Sequence, residues 1–291
     1  DQLIEVMHRA VKSEIARMPD GTYYGEAACD EDGTHPDKPV WVRCEMKVKG
    51  DHLVFDFSKS DPQTDFVASP WSNTQPRVAA ALFTVLDPSL AYCHNEGSFE
   101  SFEVVAPEGS VVNAKYPVSV GGCPVSVGIQ VLECVLNSLG QAVPDRTTSG
   151  WARNTSFSEF GLDRSRRRFW TSQLNSQGGA GAIYGYDGWP HLGMISGLGG
   201  FVKGSIELLE SRYPWFFKRY EMRQDSPGDG RWRGGHGVAI DWVSDNEPGC
   251  EHAFMTGDSD GLITDIYAVA GGRIPERNQM YLYRAATGET T

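Results

Sequence analysis

The chain has 291 residues, 40% of them hydrophobic and 22% charged, a globular composition with length enough for one large core or two smaller ones. A formal charge of -12 repels nucleic acid and anionic membrane surfaces, so neither is an expected partner. No apolar run reaches the roughly 18 residues of a membrane helix, and no basic-then-apolar leader opens the chain, so a cytoplasmic location is expected.

Leu3, Ile4, Met7, Val11 and Ile15 recur at three- and four-residue spacing, which predicts a helix over residues 1–17 that the MPDG stretch stops. The chain is already in helical periodicity at Asp1, with no initiator Met, and so reads as a processed or partial polypeptide. VWVRCEMKVKGDHLVFDFS alternates apolar and polar residues on both sides of Gly50-Asp51, which predicts a hairpin. Pro76 at a first helical position, followed by RVAAALFTVL, predicts a buried helix. Pro124 opens a second one, VSVGIQVLECVLNSL, that Gly140 can close, and FEVVA and VVNA read as short strands. From about residue 150 the texture turns glycine-rich and aromatic, as in QGGAGAIYGYDGWPHLGMISGLGG, which predicts loops and short strands. SIELLESRYP restores a short helix ended by Pro214, and KRYEMRQD and HGVAIDWVS read as strands flanking a glycine-rich turn. The expected fold class is α+β with substantial sheet, divided into residues 1–149 (helix, hairpin and two-helix region) and 150–291 (glycine- and aromatic-rich, mainly β).

Chemistry-bearing motifs are sparse. There is no GxxxxGK[ST], and the glycines at 178, 179, 181, 197, 199 and 200 lack both the GxGxxG spacing and a strand-to-helix context, so no nucleotide site is expected on them. No GxSxG elbow is present. Asp30, Asp32, Asp258 and Asp260 sit near glycines in CDEDGTHPD and TGDSDG without EF-hand spacing, and turn chemistry accounts for them. The six cysteines form no CxxC pair and read as reduced thiols. The basic run Arg164, Arg166, Arg167 and Arg168 reads as a solvated turn. Seven histidines form no metal-ligand spacing; His94 and His236 stand out because each lies where Gly, Asn or Arg is dense. The densest segment is RQDSPGDGRWRGGHGV. Its Arg231 and Arg233 either pair with Asp225 and Asp229 in a self-neutralising turn or clamp an external carboxylate or phosphate.

MPDGTYYGE, VFDFSKSDPQ, HNEGSF, APEGSVVNAKYPVSV, LLESRYP and DSPGDGRWRGGHG occur in an order that resembles the hydantoinase B/oxoprolinase family, whose members serve ATP-dependent hydantoinases, oxoprolinases, caprolactamase and ketone carboxylases. The resemblance covers the middle and later part of a family subunit. The family's His/Asp metal-ligand region and glycine-rich ending have no counterpart here, and Lys59 stands where members commonly carry Gly. It implies a HyuA-like partner that binds ATP on an actin- or hexokinase-like site and phosphorylates a small carbonyl substrate. It further implies a divalent metal held outside this chain segment, on the remainder of the B-type subunit. In this frame Asn95 and Gly97 are candidate pocket-edge residues, and Arg231, Arg233 and His236 are candidate anion or carbonyl contacts. Trp71, Trp151, Trp170 and Trp189 are read as core or interface before substrate contacts. The competing expectation is a non-catalytic assembly or scaffold subunit of such a complex.

Overall fold

The computed structural model describes residues 1–153, 155–163, 168–174, 178–197, 199–200, 202–244, 250–284 and 287–290, with the side chains of 163, 168 and 250–259 left out. The first helix, α1 (Gln2–Ile15), buries Met7, Val11 and Ile15 as the stripe predicts, whereas Leu3 at its start is 77% exposed. The chain then enters β1 (Gly21–Cys29), β2 (Val40–Lys49) and β3 (His52–Asp56), consecutive antiparallel strands joined by β4 (Glu103–Val105), which runs parallel to β3. Gly50 takes φ 59, the left-handed value that a two-residue hairpin turn asks of its first residue. Val40, Val42, Cys44, Met46 and Val48 form the buried face of β2, every second residue.

Against that face lies α4 (Val127–Ala142), buried at every residue except Asn137 and Gln141. It touches β1 at Gly25, where a Cβ would overlap the Cys134 carbonyl oxygen and where the Cys134 thiol donates to the Gly25 carbonyl at 3.0 Å. The helix begins at Val127 and runs through Gly140, so Gly140 is an interior residue and not the stop. A Cβ there would come within 3.0 Å of Val269, and Pro144 sets the true limit just beyond Ala142.

Helix α2 (Trp71–Phe83) begins earlier than expected, with Pro76 inside it, whereas α4 begins after Pro124. Tertiary hydrogen bonds hold its first turn. The Thr74 hydroxyl donates to Val112 O at 2.6 Å, and Asn73 Nδ2 donates to Ser69 Oγ at 2.9 Å and to Cys123 O at 3.2 Å. These offset the bond that a proline cannot make. FEVVA becomes β4 as expected. VVNA forms turns instead of a strand, its Val111 amide donating to Asp61 O at 2.9 Å.

After the one-turn helix α3 (Glu96–Phe99) and α4, the chain builds a second sheet in the order β6-β5-β9, with β5 at Thr155–Asp163, β6 at Arg168–Leu174 and β9 at Cys250–Ser259. β5 and β6 form a longer hairpin than the sequence texture suggested. Arg164, Arg166 and Arg167 lie outside the described residues. Helix α5 (Ile206–Arg212) starts on Ser205, whose Oγ accepts the Leu208 amide at 3.2 Å, and ends before Pro214 as expected. β7 (Trp215–Met222) and β8 (Val238–Ser244) then pair antiparallel around the glycine-rich segment. Phe157, Leu174 and Trp215 form a small core with Trp242, which meets Phe157 edge-on at 4.5 Å. A last short ribbon joins β10 (Tyr283–Arg284) to β11 (Glu289–Thr290). The architecture is α+β. Among the described residues no helix is long and apolar enough to cross a membrane.

A buried polar hub ties the end of β1 to the far end of the sequence. The Asp30 carboxylate accepts the amides of Leu262, Ile263 and Thr264 at 2.6, 3.1 and 3.0 Å, and the Thr264 hydroxyl as well. The Asp30 amide donates to Asp260 Oδ1 at 2.9 Å, and Gln130 Nε2 donates to Asp260 Oδ2 at 2.7 Å. Arg153, 4% exposed, donates to Glu133 at 3.1 Å, to Ala28 O at 2.9 Å, to Asp265 O at 3.0 Å and to the Thr264 hydroxyl. Three buried carboxylates thus surround one guanidinium, an excess of negative charge that favours keeping a proton. Burial raises Asp260 to about 7 and pushes Glu133 upward against the pull of Arg153.

A carboxyl group that binds its proton more tightly when folded stabilises the fold at low pH, and that contribution is lost as pH rises through its folded pKa. For Asp260 the window runs from the ordinary carboxylate value to about 7, and the full effect is on the order of 4 kcal/mol. Asp260→Asn is therefore expected to flatten the dependence of unfolding free energy on pH between these limits, by up to about 1.4 kcal/mol per pH unit. Denaturant titrations at stepped pH measure it; an unchanged slope in the variant would contradict the assignment.

Candidate functional site

Residues 178–193 and 226–237 pack backbone against backbone. Gly235 N donates to Ala180 O at 2.8 Å, Ala180 N to Trp189 O at 2.9 Å, Gly188 N to Arg233 O at 2.7 Å and His191 N to His236 O at 3.1 Å. A Cβ on Gly179 would overlap Gly235 O, one on Gly188 would overlap Ala180 O, and one on Gly235 would overlap Trp189 O. These glycines are where they are because two chains approach too closely for side chains. The module is anchored to the rest of the fold through Ala152 N, which donates to Gly179 O at 3.0 Å, and Ser149 N, which donates to Ala182 O at 2.9 Å.

On this frame Arg233 gives its amide to Asp187 Oδ1 at 2.8 Å, while its guanidinium lies 3.9 Å from both Asp225 and Asp229. Pairs this long and this exposed contribute little stability. Arg231 stacks on Trp232 at 4.8 Å, and Trp232 in turn meets Tyr184 at 4.8 Å. His236 Nδ1 donates to Arg223 O at 3.2 Å, which fixes that nitrogen as the protonated one. Tyr184, Tyr186 and Trp189 are exposed beside this stack, whereas Trp170 is buried and Trp151 packs on the main core.

Asn95 and Gly97 lie elsewhere, under α1. Asn95 Oδ1 caps α3 by accepting the Gly97 amide at 2.9 Å, and its Nδ2 donates to Leu3 O at 3.3 Å. A Cβ on Gly97 would overlap Ile4 O. His94 bonds Ser98 Oγ at 2.9 Å between Phe83 and Phe99. Among the described residues no hydrogen bond or ion pair joins Asn95 or Gly97 to Arg231, Arg233 or His236.

The structure adds three residues that sequence spacing does not reveal. His191 adopts φ 53, in the left-handed region where a side chain is strained. Its Nε2 meets the Tyr220 hydroxyl at 2.9 Å, with the rings edge-on at 5.6 Å. Burial, and then the nearby Lys203 charge, lower the imidazole pKa; burial also lowers Lys203 and raises Tyr220. His191 shares with His236 a setting dense in Gly, which was the available signal; its partner Tyr220 is 29 residues away.

A cleft of about 300 Å³ lies at the end of α4, lined by Asn137, Gly140, Gln141, Pro144, Ala268, Val269 and Ala270. No lining residue titrates, so it offers shape without a proton-transfer group. Among the described residues no three His, Cys, Asp or Glu side chains are grouped to hold a metal ion.

A family profile described as hydantoinase B/oxoprolinase matches residues 1–291. Caprolactamase subunit beta of Pseudomonas jessenii is 28% identical over 249 residues, covering 82% of this chain and 42% of that subunit. The crystal structure of ATP-dependent caprolactamase from the same organism superposes with a TM-score of 0.76 at 26% identity, over 89% of this chain and 44% of that one. Nucleotide-free acetone carboxylase gives a TM-score of 0.79 at 18% identity, over 94% and 38% of the respective chains, a likeness of fold alone. The chain thus spans under half the length of the relatives it matches.

The close backbone packing has a direct test. Gly235→Ala places a methyl group against a main-chain carbonyl, whereas at Gly234 the nearest atom to a new Cβ is 3.5 Å away. Gly235→Ala is expected to destabilise by about 3 kcal/mol or more and Gly234→Ala by about 1 kcal/mol or less. Chemical denaturation compares them; equal effects would show that the module is loosely packed.

Proposed function

The chain belongs to the hydantoinase B/oxoprolinase family, and from that premise we propose that it is a subunit, or part of one, of an ATP-dependent enzyme that opens a cyclic amide or carboxylates a ketone. The observation that supports this reading best is the family match along all 291 residues, joined to a relative that is itself named as one subunit of a caprolactamase. In this reading ATP is held by a separate hydantoinase A-like subunit, since this sequence has no phosphate-binding loop.

The chemistry follows from carbonyl reactivity. A phosphoryl group on an amide oxygen makes the carbon electrophilic; one water adds, the ring carbon–nitrogen bond breaks as nitrogen takes up a proton, and a second water hydrolyses the resulting acyl phosphate to carboxylate and phosphate. A phosphorylated enol can instead pass its phosphoryl group to bicarbonate, whose breakdown gives carbon dioxide and phosphate, and the enolate carbon so released adds to that carbon dioxide. What this chain supplies in either case is a rigid frame carrying a few polar groups. Arg231, stacked on Trp232, and Arg233, only loosely paired with Asp225 and Asp229, are the candidate anion or carbonyl contacts on it. His236 is oriented to present Nε2, while Asn95 and Gly97 serve the α1 contact.

The test is assembly with turnover. Native mass analysis of the protein isolated from its source is expected to show a larger complex with an ATP-binding partner. That complex should turn over a lactam, hydantoin or ketone only with ATP. Labelled bicarbonate retained in product assigns carboxylation, and ring opening without label assigns hydrolysis. Turnover by the isolated chain, or turnover independent of ATP, would contradict the reading.

A further inference from the structure

We propose that the cleft at the end of α4 binds a small neutral ring amide, with the Asn137 carboxamide as its polar anchor. This inference stands on local geometry and needs neither ATP nor a partner subunit. α4 is buried at every residue except Asn137 and Gln141, so the cleft lies along the one stripe that the helix leaves open. Gly140 keeps it open, since a Cβ there would come within 3.0 Å of Val269 on the opposite wall. That wall is tied down on both sides. Gly150 N donates to Tyr267 O at 3.0 Å, Val269 N to Ser149 Oγ at 3.3 Å and Arg273 N to Asp229 O at 2.8 Å. Between these ties Ala270 adopts φ 52, in the left-handed region that a side chain disfavours. Strain of this kind persists where the surroundings over-determine it, and it collects at ligand sites.

The polar groups of the cleft select the ligand. Gln141 is already committed: its Nε2 donates to Tyr24 O at 2.5 Å and its Oε1 accepts the Tyr24 amide at 3.4 Å. One turn earlier the Asn137 carboxamide lines the cleft half-buried, with no hydrogen-bond partner among the described residues. It offers a donor and an acceptor side by side, the pattern by which Gln141 grips the two backbone groups of Tyr24. No charged side chain lines the cleft, and Pro144, Ala268 and Val269 add apolar surface, so an ion would lose hydration there without a counter-charge. An amide inside a small ring is held cis, with N–H and C=O on one edge, and both can pair with a carboxamide at once. An open-chain amide is trans and presents only one of them on each edge. A volume of about 300 Å³ admits such a ring and falls at the small end of ligand pockets.

The experiment is a titration of the 291-residue chain, with backbone and side-chain amides labelled for NMR, using valerolactam, N-methylvalerolactam and the ring-opened amino acid in separate arms. A saturable shift of the Asn137 Nδ2 resonances is expected with valerolactam. The N-methyl derivative, which cannot donate to Oδ1, should bind about tenfold more weakly or worse, and the charged ring-opened compound should not saturate. Asn137→Asp keeps the shape but removes the donor; followed at the Val269 and Ala270 amides, it is expected to weaken valerolactam by about tenfold. Equal affinity for either control compound, an affinity unchanged in Asn137→Asp with the fold intact by circular dichroism, or a shift that never saturates with valerolactam overturns the proposal. ATP-dependent turnover by the assembled complex is measured without reference to these shifts, so the two readings fail separately.

Discussion

The Asp30 carboxylate, accepting three successive backbone amides from residues 262–264, is the interaction on which the arrangement depends. A carboxylate buried without such donors would cost several kcal/mol; with them it becomes a clamp between positions more than 230 residues apart. Arg153 extends the clamp to α4 through Glu133 and to β1 through Ala28 O. Its neighbour Ala152 then reaches the glycine module through Gly179. The seat of His191, Arg231 and His236 is therefore fixed through backbone contacts that lead back to a buried polar hub, not through a large apolar core of its own. The small core beside it contains three buried apolar side chains among the described residues, Phe157, Leu174 and Trp215.

That dependence explains what was legible in the sequence. The β2–β3 hairpin, α1, α5 and the β7–β8 pair follow from alternation, helical stripes and capping residues, all signals confined to neighbours along the chain. β1 was not legible, because Gly21, Gly25 and Glu26 interrupt its pattern and its key contact is with α4, a hundred residues later. Pro76 misled because Thr74 and Asn73 secure the first turn of α2 by reaching other segments. Asp30 and Asp260 read as turn residues, but Thr256–Ser259 of the TGDSDG stretch end strand β9 and Asp260 follows it directly; that the two carboxylates meet in the interior is a fact about tertiary structure alone.

The same limit applies to the site. RQDSPGDGRWRGGHG was visible as a place of tight folding, yet its Gly235 packs against Gly179 and Gly188 and its Gly228 against Arg273 O, and no local motif records partnerships across some fifty residues. His191 and Tyr220 meet for the same reason. Family membership supplies what geometry does not: relatives of the same fold that include an ATP-dependent caprolactamase. The module carries Arg231, Arg233, His191 and His236 together with the exposed rings of Tyr184, Tyr186 and Trp189.

The measurement that bears most directly on this account is amide hydrogen exchange in Asp30→Asn. The substitution keeps the shape but turns one acceptor oxygen into a donor group facing the amides of Leu262 and Ile263. Exchange at those two amides should speed up by about tenfold or more, with a smaller rise spreading to Ala180 and Gly235. Native-like protection at all four positions would mean that the glycine module holds itself in place, and that the hub is not what sets the geometry.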